Sequence, residues 1–325
     1  MLRHNSLWIA LGALAAVCSS AWAQAPSGDA AKYPEQMVRL VVPFSAGSMT
    51  DLLARVVVEK LSERWKQQVI VENRPGLAGT SSVAKATADG YTLMLTSNGH
   101  TVIGNLNKNL AFDPQKDFVG VSQVATTPLI LAAPPELTTK TVKELIDAAK
   151  AKPKAYQFGS AGNGTLPHLM GEMLNSYAGI QVQHIPYRAI AAALTDVISG
   201  QITMAFATPA AVIQHIGSGR LVALGVSSPQ RTPSLPDVPA IAEVLPGFSG
   251  TLWIALFAPR GLPPEIDAQL QAAAKKVLES PDVREKLAAQ GVEIANGSPE
   301  QVSRLLEEDL GRWKKIVKES GAKVD

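Results

Sequence analysis

Apolar positions along this chain alternate between two spacings. Val38-Arg39-Leu40-Val41-Val42 is a short β-branched run closed by Pro43, which predicts a buried strand. From Asp51 to Trp65 the apolar residues Leu52, Leu53, Val56, Val57 and Leu61 share one helical stripe, with Arg55, Glu59 and Lys60 off it. Val69-Ile70-Val71 predicts the next strand, broken by Asn73-Arg74-Pro75-Gly76. A small-residue helix from about Thr80 to Ala86 leads to Tyr91-Thr92-Leu93-Met94-Leu95, a further buried strand. This alternating order predicts an α/β protein with a parallel, doubly wound sheet flanked by helices.

The second half repeats the grammar. Thr141 to Ala149 predicts a helix and Tyr156 to Phe158 a strand. Leu166 to Tyr177 predicts a helix with the stripe Leu166, Leu169, Met170, Met173, Leu174 and Tyr177. Pro167 falls in its first turn, where a missing N–H costs nothing. Val182 to Ile185, Ile202 to Ala207 and Leu221 to Val226 predict strands, separated by helices over Ala191 to Ile198 and Ala210 to Gly217. The C-terminal part reads as all helix. It comprises Pro264 to Leu278, a helix with Ser280 as cap and Pro281 at its first position, and a last helix to about Ser320 opened by the capping box Ser298-Pro299-Glu300-Gln301.

The start of the chain reads as a leader rather than as fold. Arg3 and His4 give a positive start, Leu7 to Val17 is apolar, and Ala21-Trp22-Ala23 fits a cleavage site, so the expected mature N-terminus is Gln24 in the periplasm. Val17 before Cys18 is a poor fit to a lipoprotein site. Removing the leader removes the one cysteine, and with it any disulfide or thiol chemistry. The net charge of +2 falls to +1 as Arg3 leaves. Without a polybasic run, and with few aromatics, nucleic acid and anionic membrane surfaces are poor partners. The roughly 300 remaining residues suffice for two lobes with their own cores.

Two segments carry one physical design. Phe44-Ser45-Ala46-Gly47-Ser48-Met49-Thr50-Asp51 and Phe158-Gly159-Ser160-Ala161-Gly162-Asn163-Gly164-Thr165 each follow a strand and open a helix. Small side chains leave the backbone amides bare, and the helix behind adds unpaired N–H groups and the positive end of its dipole. If the two loops belong to different lobes, they face each other across a cleft and grip an anion from both sides. Other chemistry is missing. There is no G-x-S-x-G elbow, P-loop or G-x-G-x-x-G after a strand, and His100, His168, His184 and His215 form no metal-binding pair, so neither cofactor nor metal is expected. Arg188, after His184-Ile185-Pro186-Tyr187, is a cation at a strand end that can pair with a carboxylate or stand in solvent. His168 can face a ligand or pack, and Trp253 can line a ligand wall or the core.

The motifs together resemble the Bug-type periplasmic solute-binding proteins of tripartite tricarboxylate transporters. The resemblance runs from Tyr33-Pro34 to Val324-Asp325. It is carried by Val42-Pro43-Phe44 through Asp51, Val71 through Gly76, Ala88-Asp89-Gly90-Tyr91, Gly159 through Gly164 with His168-Leu169, His184-Ile185-Pro186-Tyr187 and Leu235-Pro236-Asp237-Val238-Pro239. It implies a two-lobed Venus-flytrap fold of type II, each lobe a mostly parallel sheet flanked by helices, and a carboxylate held between them largely by backbone amides. Lobe one is expected to comprise 24–125 and 248–325, lobe two 126–247, with the C-terminal helices completing lobe one. The expected ligand-binding set is Phe44, Ser45, Ala46, Gly47, Ser48, Met49, Thr50, Asp51, Ser97, Asn98, Ser160, Ala161, Gly162, Asn163, Gly164, Thr165, His168, Tyr187, Arg188, Ala207 and Thr208.

Several positions depart from the family's pattern. Gly47-Ser48-Met49 replaces a glycine pair followed by Pro or Thr, Arg188-Ala189-Ile190 replaces a Lys-Gly, and Phe206-Ala207-Thr208 lacks the usual aspartate. Those changes point to a mono- or dicarboxylate with an apolar or aromatic body rather than to an amino acid. The expected function is capture of a small carboxylate, by a monomer without enzymatic activity, for delivery to membrane transporter subunits. The alternative is a periplasmic sensor component that signals to a membrane kinase. An enzyme on this fold would need a catalytic pair, for which Asp51 and His168 are the candidates.

Overall fold

The apolar runs pair into two sheets in the computed structural model, which describes residues 32–107 and 110–320. The expected leader therefore lies outside the described residues. In chain order the first elements are β1 (Val38–Val42), α1 (Met49–Trp65), β2 (Val69–Asn73), α2 (Leu77–Ala84), β3 (Thr92–Ser97), α3 (Gly99–Leu106) and β4 (Phe118–Pro128). Then come β5 (Ile130–Ala133), α4 (Val142–Ala151), β6 (Gln157–Ser160), α5 (Leu166–Ala178), β7 (Gln183–Pro186), α6 (Ile190–Ile198), β8 (Met204–Ala207), α7 (Pro209–Gly217) and β9 (Val222–Val226). The chain ends with β10 (Thr251–Pro259), α8 (Pro264–Leu278), α9 (Pro281–Ala288), β11 (Glu293–Gly297) and α10 (Pro299–Ser320). All lie in one unit that begins at Pro34.

The first sheet has the order β11-β4-β10-β3-β1-β2, the second β7-β6-β8-β5-β9. The predicted parallel cores are present, as β2-β1-β3 and β7-β6-β8. Each sheet is mixed, however, rather than mostly parallel. β10 runs antiparallel to both β3 and β4, and β5 antiparallel to both β8 and β9. The reason is connectivity: strands that carry the chain from one sheet to the other enter without a helical crossover and are free to run either way.

That connectivity also sets how the sheets meet. β3 and β4 both oppose β10, so β4 ends on the edge where β1 and β3 end. Only Leu129 separates Pro128 of β4 from Ile130 of β5, and Ile130 pairs with Ala207 at the end of β8. The return path mirrors this: Val226 ends β9 opposite Ile130, and Thr251 starts β10 opposite Pro128. The carboxyl ends of the parallel strands in both sheets thus abut at the double crossover. Buried Ser227 knots the two crossing segments. Its N–H donates to Leu129 O (2.8 Å), its carbonyl accepts from Gly250 N–H (3.0 Å), and its hydroxyl accepts from Leu129 N–H (2.8 Å) and donates to Gly250 O (2.5 Å).

The C-terminal part is not all helix. β11 is a partly exposed edge strand whose polar Glu293 and Asn296 hide its pairing with β4, and ahead of that part β10 is an unpredicted buried strand in the middle of the first sheet. α3, β4 and β5 also lie where no element was predicted. On α1, Leu53, Val57 and Leu61 are buried, but Leu52 is 40% exposed. Ser298 makes its capping box, its N–H bonding Gln301 Oε1 (2.7 Å) and its Oγ accepting from Gln301 N–H (3.4 Å). Ser280 holds the cap position of α9, but its hydroxyl donates back to Lys276 O instead. α10 belongs to both halves: Asp309 accepts from Asn98 and Trp253 of the first, while Trp313 and Ile316 join the core of Phe158, Met170, Met173 and Phe206 in the second.

Candidate functional site

The expected ligand-binding residues all fall at the carboxyl ends of β1, β3, β6, β7 and β8, where open α/β sheets bind ligands. The structure sorts them by what their polar atoms already do.

In the β1–α1 loop, Ser48 caps the helix by accepting from Asp51 N–H (3.2 Å). Asp51, with its side chain 2% exposed, accepts from Gly47 N–H (2.8 Å), Arg55 Nε (3.1 Å) and Asn73 Nδ2 (3.0 Å), and Arg55 Nη2 lies 3.1 Å from its other oxygen. Burial alone would push the Asp51 carboxyl up, but the Gly47 amide, Arg55 and Asn73 together hold it below its usual range. Asp51 is therefore a built-in anion for the Gly47 amide. Gly47, at φ +80°, takes the left-handed turn that lets its amide face Asp51. Among the described residues the amides of Ala46, Met49 and Thr50 keep no backbone or side-chain acceptor, as expected for a helix start. Ser45 and Ala46 are exposed, while Phe44 and Met49 are half-buried.

At the end of β3, Ser97 is buried and Asn98 is fully engaged. Asn98 Nδ2 donates to Asp309 Oδ2 (2.8 Å) and Thr251 O (3.2 Å), and its Oδ1 accepts from Trp253 N–H (3.1 Å). It is a strut between α3, β10 and α10, its amide already engaged within the protein. Burial raises the pKa of Asp309 against the hydrogen bonds from Trp253 and Asn98. Trp253 is core, 2% exposed.

The β6–α5 loop is held from beneath. Ser160, fully buried, accepts from Gly162 N–H (3.1 Å), reaches Gly162 O (3.1 Å) and lies 2.7 Å from His184 Nε2. Gly164 N–H donates to His168 Nδ1 (3.0 Å), and Thr165 Oγ1 donates to Gly162 O (2.7 Å). Ser160 and His168 thus support the loop from within, their polar atoms occupied and buried. Ala161 and Asn163 are half-buried on the same loop. Gly162 and Gly164 sit at φ +111° and +77°, which excludes most side chains on conformational grounds.

The neighbouring β7–α6 loop touches this one, Tyr187 N–H donating to Ser160 O (3.1 Å). Tyr187 Oη donates to Asp196 (2.6 Å), and burial together with that carboxylate raises its pKa to about 12. Arg188 is exposed and has no carboxylate at ion-pair distance among the described residues. Ala207 is buried against Ile130, and Thr208 heads α7 without capping it through its side chain. Sequence reading missed His184, Asn73, Asp196 and Ser227 as organisers. Their partners lie 24, 22 and 9 residues away for the first three, and only the fold brings them together.

This edge offers amide donors, hydroxyls and the Arg188 guanidinium, which suits an anion. No metal-binding group of His, Cys, Asp or Glu occurs among the described residues. Ser160 and His184 meet, but a fully buried serine presents no nucleophile.

Two mixed α/β sheets with abutting carboxyl edges are the architecture this chain shares with solved periplasmic binding proteins, among them BugD at 30% identity and TM-score 0.79. The sequence profile of the "Tripartite tricarboxylate transporter family receptor" matches residues 53–322, and the chain belongs to that family. BugT of Bordetella pertussis is 34% identical over 298 residues, 90% of this chain and 91% of BugT. Among solved structures, Rpa4515 of R. palustris with adipate is similar at 32% identity and TM-score 0.81, covering 90% of this chain and all of that one. MatC of Rhodopseudomonas palustris with bound malate shares 29% identity at TM-score 0.78, covering 88% of this chain and 100% of its own. The family and fold are those of binding proteins, not enzymes. Among the described residues no helix is long and apolar enough to cross a membrane.

Proposed function

We propose that the chain captures a small carboxylate between lobe one (24–125 with 248–325) and lobe two (126–247), and delivers it to membrane transporter subunits as a monomer freed of its leader near Ala23. The observation that carries this reading is the abutting of two carboxyl edges, one with unpaired first-turn amides at Met49 and Thr50, the other with the glycine loop beside unpaired Arg188. Adipate and malate in the two similar structures support the ligand class. Half-buried Met49 and Ile190 line helix starts here, and Ala207 offers nothing to a hydroxyl, so an aliphatic dicarboxylate such as adipate should bind more tightly than malate.

A thermal-shift screen over a carboxylate library tests this. A ligand at a hundred times its dissociation constant should add about 2.7 kcal/mol of stability. Arg188→Ala should leave the ligand-free melting temperature in place and weaken binding by about 1.5–3 kcal/mol, the worth of one charge-assisted hydrogen bond. A library without a single stabilising carboxylate, or an Arg188→Ala variant that binds as well as the parent, would place the recognition chemistry elsewhere.

A further inference from the structure

Beneath the glycine loop two histidines stack. The rings of His168 and His184 lie 4.0 Å apart at 23°, and His184 stacks in turn on Phe158 at 4.9 Å. Each imidazole controls one glycine amide. His168 Nδ1 accepts directly from Gly164 N–H, so its proton sits on Nε2, 3.7 Å from Glu172 Oε1. His184 acts through Ser160. The Ser160 hydroxyl accepts from Gly162 N–H and gives its own proton to Gly162 O, which leaves His184 Nε2 as the donor to Oγ. The arrangement requires an unprotonated Nδ1 on His168, whereas His184 keeps its Nε2 donor in either protonation state.

We propose that His168 and His184 are positioning residues of the solute loop: as a stacked pair they turn the Gly162 and Gly164 amides inward and fix which donors the loop presents, and a proton on His168 Nδ1 releases the Gly164 amide. The proposal rests on the reading of this loop as a carboxylate contact. A protonated His168 has no acceptor left on Nδ1, so Gly164 N–H loses its partner. Two imidazoliums at stacking distance repel each other as well. The ionisable groups facing the pair are each other and Glu172. β6 contributes Phe158 and Ser160, and α10 packs on α5 through Trp313 and Ile316. Burial and the neighbouring His168 hold His184 down to about 4, against the pull of Glu172. Because a proton on His168 Nδ1 displaces the Gly164 amide and two stacked imidazoliums repel, carboxylate affinity should fall in acid in addition to any titration of the ligand.

The first experiment needs no ligand. In the 15N-labelled protein, long-range imidazole spectra at neutral pH should show both rings neutral with the proton on Nε2. Titrated from about pH 7 to about pH 4, the hydrogen-exchange protection factor of the Gly164 amide should fall at least about tenfold in step with imidazole protonation. A Gly164 amide whose protection ignores that protonation overturns the proposal. The second experiment uses adipate as the probe. His168→Asn with His184→Gln keeps an acceptor near Nδ1 and a donor near Nε2 but cannot titrate. Its ratio of dissociation constants between acid and neutral pH should be at least about tenfold smaller than that of the parent. An equal ratio refutes the proposal. His168→Phe keeps a stacking ring without an acceptor, and should weaken adipate by about tenfold or more even at neutral pH. If the parent binds no adipate at any pH, that counts against the ligand class, and the Gly164 amide still decides the role of the histidines.

Discussion

Asp51 stands in the first turn of α1, where an anion gains from the helix dipole and from the bare Gly47 amide. The chain has filled that place with its own carboxylate and tied it with Arg55 and Asn73. Since its folded pKa is depressed below 3.8, its contribution is present above that value and is lost as pH falls through the folded pKa. Asp51→Asn should lose about 1–3 kcal/mol near neutral pH, the range for a charged hydrogen-bonding group removed from a buried site. The melting curves of parent and variant should converge as the solution is acidified below the ordinary carboxylate range. A constant gap between them down to strong acid would mean that the carboxylate's charge is not what holds the loop. His184 acts in a different window. Its folded pKa of about 4 lies below its usual 6.5, so the unfolded chain takes up the proton first and stability declines as pH falls between those two values.

At the scale of elements, α10 is the piece whose removal should be felt on both sides of the crossover. Trp313 is fully buried among residues of the second half, while Asp309, one turn earlier, is tied to Asn98 and Trp253 of the first. Trp313→Ala should cost about 3–5 kcal/mol, and denaturation followed at probes in each half should lose its single transition. A variant still melting in one step at nearly the parental temperature would rule out this bridging role. Periodicity made α1, α5, β1 and β3 legible, because each has one buried face or is buried throughout. The start of α10 was legible because a capping box is local. α3 opens at Gly99-His100-Thr101 with no side-chain cap, and β11 is too polar to announce itself. The site was half legible for the same reason. Small residues before a helix advertise amides, but whether an amide is already taken by Asp51, Ser160 or His168 depends on side chains that only the folded loop brings into reach.

For the whole molecule, the double crossover is the hinge of the proposed two-lobed clamp, with α10, packed on both halves, moving as they turn. Ser227 fixes the register of the two crossing segments without tying down either sheet. A solute that bonds both edges favours the closed arrangement only by the contacts it gains there. Small-angle scattering should show the protein becoming more compact with a stabilising carboxylate, and Ser160→Ala with Asn163→Ala staying extended. Unchanged dimensions at saturating ligand would mean that the edges do not clamp.

The strand order has a consequence for how the molecule comes into being. β10 lies between β3 and β4, so the first sheet has a gap at its centre until the whole of the second half has been made. A chain emerging from its amino end can complete β5 to β9 while β3 and β4 still expose unpaired edges, the kind of surface that invites association between chains. The half that begins first is thus finished last. Any compartment receiving this polypeptide has to tolerate an open, apolar sheet until the segment around Trp253 slides into place.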